Sequence, residues 1–246
     1  ARIGFIRDFG IDQVVPIAFT RDLSILSPEE FIVNLRNRLN MTHLVVGPDF
    51  AVGYNRAGTI EVLQRLGEAH GFAVEIVPPY SLQGAMVNST AIRAGLRAGD
   101  IFLASRYLGR PYDLESTVIR GEGRGNDLGF PTANLGSMPH MAIPADGVYA
   151  TWLYVDRFCL PSATSIGVKP TFHQEAPREI EVHAIDLPDA LLGGGGLYGR
   201  VVRLAFVERI RGQERFDNVE GLIAQMRKDI SQIREMLSVP FVKKVQ

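Results

Sequence analysis

Apolar and polar positions along the first half of the chain follow two different spacings, which alternate. Residues 27–40 and 59–71 repeat apolar side chains at helical spacing. The first of these segments opens with Ser27 and Glu30, the pattern of a capping box, and the second ends at Gly71. Short apolar runs that predict strands lie at 14–19, 42–47 and 72–80. Strands alternating with helices predict a parallel sheet built from βαβ units.

The second half of the chain has a different pattern. Residues 89–109 predict two short helices, capped by Ser89 or Thr90 and broken at Gly99. After them come short β-rich runs at 116–120, 147–155, 163–168, 178–186 and 200–210. Several short strands within about 100 residues favour a small closed barrel or a sandwich. Residues 218–237 form an amphipathic pattern that predicts a helix packed over this β-structure. The expected fold class is α/β followed by all-β, with domains at 1–109 and 110–246.

Composition narrows the functional classes. The 246 residues are 46% hydrophobic and carry a formal net charge of −1, which is typical of a globular protein and does not indicate nucleic-acid binding. No apolar run reaches the roughly 18 residues of a membrane span, and the opening residues lack the apolar region of a signal peptide. We therefore expect a cytoplasmic protein that does not bind membranes. The start at Ala1 instead of Met indicates that N-terminal sequence is missing. The single cysteine, Cys159, is predicted to be a small buried apolar residue.

A glycine-rich segment at 120–136 is the first candidate for chemistry. Lysine occurs only at positions 169, 228, 243 and 244, and none of these lies in a Gly-Lys-Ser/Thr phosphate loop. The segment instead offers Arg124 among its glycines, followed by Thr132 and Asn134, whose neutral oxygens suit a hard cation or phosphate. A hairpin loop with solvated arginines and an ordinary Pro-Thr turn is the alternative.

Three further segments each have a functional interpretation and a purely structural one. Strand 178–186 places Glu181 and His183 on one face. The Glu181 carboxylate can act there as a general base, or both side chains simply face solvent. Residues 47–58 follow a strand and precede a helix, the position of ligand sites in doubly wound sheets, or they are only a long connection. Residues 89–93 offer hydroxyls and amides at a helix N-terminus, an anion site or an ordinary cap.

Taken in order, these segments resemble the bacterial bifunctional riboflavin kinase/FMN adenylyltransferase family, which makes FMN and then FAD. The matching segments are GPDFAVG, STAIRAGLRAGD, LGRPY, GEGRGNDLGFPTANL, PADGVYA, SIGVKPTF, EVH, LYGR and IRGQERF. The resemblance covers nearly the whole chain. It implies a partial Rossmann-like nucleotidyltransferase domain, then a riboflavin kinase-like closed β-barrel with a C-terminal helix. It also implies that the ligands are riboflavin, FMN and ATP with Mg²⁺; it leaves a homo-oligomer open.

The resemblance also implies roles for individual residues. Glu181 would take the proton from the riboflavin 5′-hydroxyl, and Thr132 and Asn134 would bind Mg²⁺ and the ATP phosphates. The loop residues that would wrap the nucleotide are Gly121, Gly123, Arg124 and Gly125. The residues that would border the flavin are Arg211, Glu214 and Phe216; an aromatic ring can stack on the flavin, and an arginine can pair with phosphate.

For the first half, the resemblance implies an FMN adenylyltransferase site. Its nucleotide contacts would be Asp49, Phe50 and Gly53, with Ser89, Thr90 and Arg93 holding phosphates. The family's phosphate-gripping HxGH motif does not occur in these 246 residues, and Asn88 stands where the family usually has a serine. The leading hypothesis is therefore a riboflavin kinase. The alternatives are a flavin- or nucleotide-binding module without catalysis, and a kinase whose first half is only a structural or oligomerisation partner.

Overall fold

The computed structural model describes residues 2–121, 123, 125, 128–168, 178–193 and 196–238. The chain divides into two compact units, residues 1–86 and 87–246. The helices predicted at 89–109 therefore belong to the same compact unit as the β-rich segments. The functional division that the sequence places at 109/110 stays a prediction.

The first unit has an α/β arrangement. Its elements are α1 (Arg2–Asp8), α2 (Arg21–Ser24), α3 (Pro28–Leu39), β1 (His43–Val46), α4 (Ile60–His70), β2 (Ala73–Ile76), β3 (Ser81–Leu82) and β4 (Ala85–Met86). Strands β1 and β2 pair in parallel, with His43 opposite Ala73, and α4 connects them. The core of this unit is centred on Ile32, Leu63 and Phe72. The predicted βαβ unit is confirmed for this pair of strands.

Helix α3 begins where the sequence pattern places it. The Ser27 hydroxyl accepts a hydrogen bond from the Glu30 backbone N–H at 3.2 Å, and the Glu30 carboxylate accepts one from the Ser27 N–H at 2.8 Å. This reciprocal pair satisfies two N–H groups that a helix start otherwise leaves unpaired.

The strand predicted at 14–19 is wrong. These residues have no regular structure, and Val15 and Ile17 are more than half exposed. Pro16 lies between them and has no backbone N–H to donate to a sheet, so an apolar run of this length does not suffice.

In its described residues, the second unit combines a β-barrel with α-helices before and after it. Its elements are α5 (Ser89–Ala98), α6 (Ile101–Leu108), β5 (Asp113–Ile119), β6 (Ala133–Leu135), β7 (Gly147–Val155), β8 (Phe158–Val168), β9 (Arg178–Ala184), β10 (Val201–Arg211) and α7 (Val219–Met236). Among the described residues, six antiparallel strands close a barrel in the order β10-β5-β6-β9-β8-β7, and β7 pairs again with β10. The predicted closed barrel with a C-terminal helix is confirmed.

The barrel has apolar contacts on both faces. Its interior is filled by a large cluster that includes Tyr149, Leu204 and Phe206. On the outside, Ile233 of α7 packs with Trp152 and other residues of the barrel wall. The C-terminal helix is thus fixed to the outer face of the barrel, as its apolar stripe predicts.

Two local predictions need correction. Cys159 is exposed, because alternate residues of β8 point inward and Leu160, not Cys159, occupies the inward position. Helix α5 is capped by neither Ser89 nor Thr90; the Asn88 side chain accepts a hydrogen bond from the Ala91 N–H at 2.8 Å. Asparagine is among the best N-cap residues, which explains its place at this helix start.

Candidate active site

The pairing of β6 with β9 sets the geometry of the site. Asn134 lies directly opposite Glu181, and Ala133 lies opposite Val182. Val182 is buried inside the barrel, so Glu181 belongs to the other face of the strand. Because directly opposed residues in antiparallel strands point to the same face, Asn134 and Glu181 are neighbours.

A first cavity of about 620 Å³ lies between the barrel and α7, and we call it the helix-side cavity. It is lined by all the residues that the sequence assigns to catalysis and flavin binding, namely Glu181, Arg211, Glu214 and Phe216. Two of the predicted phosphate-binding residues, Gly125 and Thr132, line it as well. The structure therefore brings together residues that are almost 100 positions apart in the sequence.

A second cavity of about 680 Å³ lies beside the loop that follows β6, and we call it the loop-side cavity. Gly121 and Asn134 line it, together with Arg120 and Glu179. Glu179 and Glu181 alternate on the same face of β9, so this face runs from one cavity to the other. The Asn134–Glu181 pair therefore links the two cavities, because Asn134 lines one and Glu181 lines the other.

Two glycines of the predicted nucleotide loop are required by close contact. A Cβ at Gly121 would lie 2.0 Å from the Asn134 side-chain nitrogen. A Cβ at Gly125 would lie 2.5 Å from the Phe130 carbonyl oxygen and 3.0 Å from the Thr132 hydroxyl. The loop thus touches both predicted phosphate ligands at positions where only glycine leaves room.

The rest of this loop is described in part. Gly123 is exposed and lies between the two close-contact glycines. Arg124 lies outside the described residues.

His183 fixes the segment that carries Thr132. Its Nδ1 lies 2.9 Å from the Pro131 carbonyl oxygen, and its ring meets the Phe130 ring edge-on at 5.8 Å. A carbonyl oxygen can only accept, so Nδ1 carries the proton, and Nε2 has the lone pair in the neutral ring. The sequence pairs His183 with Glu181 on one face but does not show this contact.

One of the predicted flavin residues, Arg211, forms a buried ion pair with Asp229. The Arg211 guanidinium donates from Nη2 to the Asp229 carboxylate at 2.8 Å and from Nε at 3.0 Å. The Arg211 guanidinium also lies over the Phe216 ring, 5.9 Å from its centroid. Gln225 donates to the other Asp229 oxygen at 2.8 Å. Glu214 is exposed at the cavity wall.

Sequence reasoning missed Asp229 and Gln225, although a signal for Asp229 exists. Asp229 stands three residues after Met226 and four before Ile233, so a carboxylate interrupts the apolar stripe of α7. Gln213 was also missed; its side chain donates to the Ile166 carbonyl at 2.8 Å and lines the helix-side cavity. No pattern in the sequence distinguishes Gln213 from other polar loop residues.

The residues assigned to the adenylyltransferase site lie in both units. In the first unit, the Asp49 carbonyl accepts a hydrogen bond from Arg56 at 2.9 Å, Phe50 is partly exposed, and Gly53 packs against Pro28.

In the second unit, the remaining residues of this set lie near the start of α5. Ser89 and Thr90 are exposed in its first turn, and Arg93 is exposed one turn later. These positions are the ones the sequence predicts for contacts with phosphates, and their role stays a prediction.

Comparison with known proteins identifies the family. A family model described as riboflavin kinase matches residues 108–237, and one described as FAD synthetase matches residues 1–91. The chain belongs to the riboflavin kinase/FAD synthetase family. The resemblance noted from the sequence motifs is thereby confirmed.

Individual relatives and one solved structure are similar over most of the chain. The bifunctional riboflavin kinase/FMN adenylyltransferase of Pseudomonas fluorescens is 35% identical over 92% of this chain and 71% of its own length. The enzyme of the same name from Bacillus subtilis (strain 168) is 32% identical over 93% of this chain and 71% of its own length. A crystal structure described as a macrolide-efflux protein from Streptococcus pneumoniae superposes with a TM-score of 0.81 at 28% identity, covering 95% of this chain and 73% of that one.

Membership of the riboflavin kinase/FAD synthetase family makes the chain a transferase that acts on small molecules. Within the described ranges, no group of three or more His, Cys, Asp or Glu residues is placed to hold a metal ion. In that same part of the chain, no helix is both long enough and apolar enough to cross a membrane.

Proposed function

We propose that the barrel unit phosphorylates riboflavin on its 5′-hydroxyl, with ATP as the donor, and that the reaction takes place at the junction of the two cavities. The observation that carries this proposal is the pairing of Glu181, which lines the helix-side cavity, with Asn134, which lines the loop-side cavity. The flavin would occupy the helix-side cavity and the nucleotide the loop-side cavity.

Glu181 is the proposed general base. It accepts the proton of the 5′-hydroxyl as the hydroxyl oxygen forms a bond to the γ-phosphorus of ATP and the bond from that phosphorus to the β,γ-bridging oxygen breaks. The products are FMN, ADP and a proton. Phosphoryl transfer needs positioning and charge stabilisation more than covalent chemistry by the protein, and a rigid strand such as β9 provides that positioning.

Thr132 and Asn134 are the proposed ligands of Mg²⁺ and of the phosphates. Their side chains offer neutral oxygens, which fit an ion that usually keeps waters and takes much of its coordination from substrate phosphates. The close approach of Gly125 and Gly121 to these two side chains supports a site that holds them in fixed positions. When bound, Mg²⁺ would neutralise charge that develops on the phosphates.

The test is the Glu181→Gln substitution, with Glu115→Gln, at an exposed position of β5, as the matched control. We expect Glu181→Gln to lower the rate of FMN formation about 10²- to 10⁴-fold, the usual contribution of a general base, while riboflavin still binds. The control should retain the parental rate. Near-normal turnover in Glu181→Gln would show that another group takes the proton. Flavin binding without FMN formation in the parental chain would favour a binding module.

For the first unit we propose a nucleotide site that serves the transfer of an adenylyl group to FMN, the second activity of the bifunctional relatives. The FAD synthetase match to residues 1–91 supports this assignment. Incubation with FMN and ATP, followed by chromatography for FAD, tests it. Absence of FAD would leave the kinase as the activity of this chain. A cytoplasmic location remains part of this proposal.

A further inference from the structure

The wall of the helix-side cavity contains an ion pair that does not belong to the proposed phosphoryl-transfer chemistry. Arg211 ends β10, and Asp229 lies in the middle of α7 with 4% of its surface exposed. The Asp229 carboxylate accepts from Arg211 Nε at 3.0 and 3.1 Å, from Arg211 Nη2 at 2.8 Å and from Gln225 at 2.8 Å. Both carboxylate oxygens are therefore held, and so is the plane of the guanidinium.

The attachment of α7 does not rest on this ion pair alone. A separate apolar cluster lies closer to the C-terminus of the helix, where Ile233 and Leu237 pack with Trp152 and Ala205 of the barrel wall. Buried ion pairs also contribute little net stability, because the cost of removing both charges from water offsets their attraction. The main consequence of the pair is thus the orientation and the charge of Arg211.

The pair changes which ligand Arg211 can bind. Three of the five guanidinium N–H donors are used, two by Asp229 and one by the Gly212 carbonyl at 3.0 Å. Two N–H donors remain on a guanidinium that lines the cavity, but its positive charge is already neutralised by Asp229. Such a group suits a neutral acceptor, for example a ring carbonyl or a hydroxyl, better than a phosphate.

The remaining charges of the cavity have the same effect. Among its described lining residues, Arg211 is the one Lys or Arg side chain, whereas Glu181, Glu214 and Asp217 are acidic. A phosphate monoester entering this cavity would therefore meet more negative than positive charge.

We propose that Asp229, held by Gln225, is a positioning residue that presents Arg211 to the uncharged flavin and, by neutralising it, disfavours the phosphorylated flavin. The cavity would then bind riboflavin in preference to FMN and release the product. This inference rests on the proposed function, because it assumes that the helix-side cavity holds the flavin.

The experiment compares the affinities of riboflavin and FMN in the Asp229→Asn variant, measured by quenching of flavin fluorescence without ATP. Asn has nearly the same shape as Asp and leaves the Arg211 charge unpaired. The matched control is Asp186→Asn, because Asp186 pairs with Arg234 of the same helix at 2.7 Å but is exposed. The parental chain is measured first. Failure to bind riboflavin there would refute the proposed function itself.

We expect Asp229→Asn to weaken riboflavin binding about tenfold, because Arg211 is no longer held in place and loses one hydrogen bond to the flavin. FMN affinity should hold or rise, so the preference for riboflavin over FMN falls, while the KM for ATP stays near the parental value. Asp186→Asn should leave the preference unchanged. Equal weakening of both flavins, or no change in either, would overturn the inference, since a purely structural role predicts no selective shift.

A second variant decides the matter if Asp229→Asn does not fold. Gln225→Met removes the donor that holds the carboxylate and changes no charge. We expect weaker riboflavin binding in a variant that still folds, with a melting temperature a few degrees lower because one buried carboxylate oxygen loses a donor. Unchanged riboflavin affinity in this variant would refute a positioning role for the Gln225–Asp229–Arg211 group.

Discussion

Replacement of Gly121 by alanine tests the proposed nucleotide site with the smallest possible change. The added Cβ would lie 2.0 Å from the Asn134 side-chain nitrogen and 2.5 Å from its side-chain carbon. Ordinary contacts begin near 3.4 Å, so the Asn134 side chain must move by about 1.4 Å or the loop must retreat by a similar distance. Asn134 is only 9% exposed, so it has little free space to enter.

The expected effects follow from that displacement. A misplacement of about 1 Å in a positioned group can cost about 10²-fold in rate, so kcat/KM for ATP should fall by about that factor. Overpacking at a buried side chain should lower the free energy of unfolding by about 1–3 kcal/mol. Riboflavin affinity should change little, because Gly121 lines the loop-side cavity and does not line the helix-side one.

Steady-state kinetics with varied ATP, flavin-binding titrations and urea unfolding measure these three quantities. Gly193→Ala is the matched control, because its added Cβ meets nothing within 4 Å. Kinetics with ATP that match those of Gly193→Ala would refute the reasoning, because the Asn134 side chain would then not need its present position.

Two further predictions concern the scaffold. Burial raises the pKa of Tyr112 to about 12, and its hydroxyl donates to the Ala142 carbonyl at 2.7 Å. The ordinary pKa of tyrosine is near 10. Because the folded-state pKa is higher, the protonated Tyr112 hydroxyl stabilises the fold fully below pH 10, and this contribution is lost as the pH rises towards 12. Urea midpoints across that range should fall less steeply in Tyr112→Phe, which has no hydroxyl to ionise. Ser27→Ala removes the cap of α3 and should lower the free energy of unfolding by about 1 kcal/mol in urea titrations, whereas a change below 0.3 kcal/mol would mean that the cap does not matter.

Five of the six described barrel strands could be predicted from the sequence because their pattern is local, whereas the three-residue strand β6 was not predicted. Buried and more exposed side chains alternate along β8 and β9, and β7 is a nearly continuous apolar run that is buried almost throughout. The run at 14–19 has the same apolar content but contains Pro16 and makes no strand pairing. Hydrophobic content alone does not distinguish the barrel strands from this run, since a strand also needs backbone N–H groups that can bond to the carbonyls of a neighbouring strand.

The candidate site was only partly predictable, because its chemistry depends on contacts between distant segments. Spacing along β9 places Glu181 and His183 on one face but does not distinguish a catalytic base from a solvent-exposed carboxylate. The pairing of Glu181 with Asn134, 47 positions earlier, provides the missing information. Strand register of this kind is set by the closure of the whole barrel and is not written in either segment.

Asp229 shows how such a site residue could be recognised from sequence by a physical argument. A helix that packs on a barrel buries one stripe, and a carboxylate in that stripe costs much free energy unless a cation meets it. The stripe of α7 continues on both sides of Asp229, so the position itself requires a basic partner on the covered strands. Arg211 is the residue that meets it, at the strand end that borders the cavity. A charge that interrupts an apolar stripe therefore points to a paired group across the interface, and in this protein that pair lies in the wall of the proposed flavin cavity.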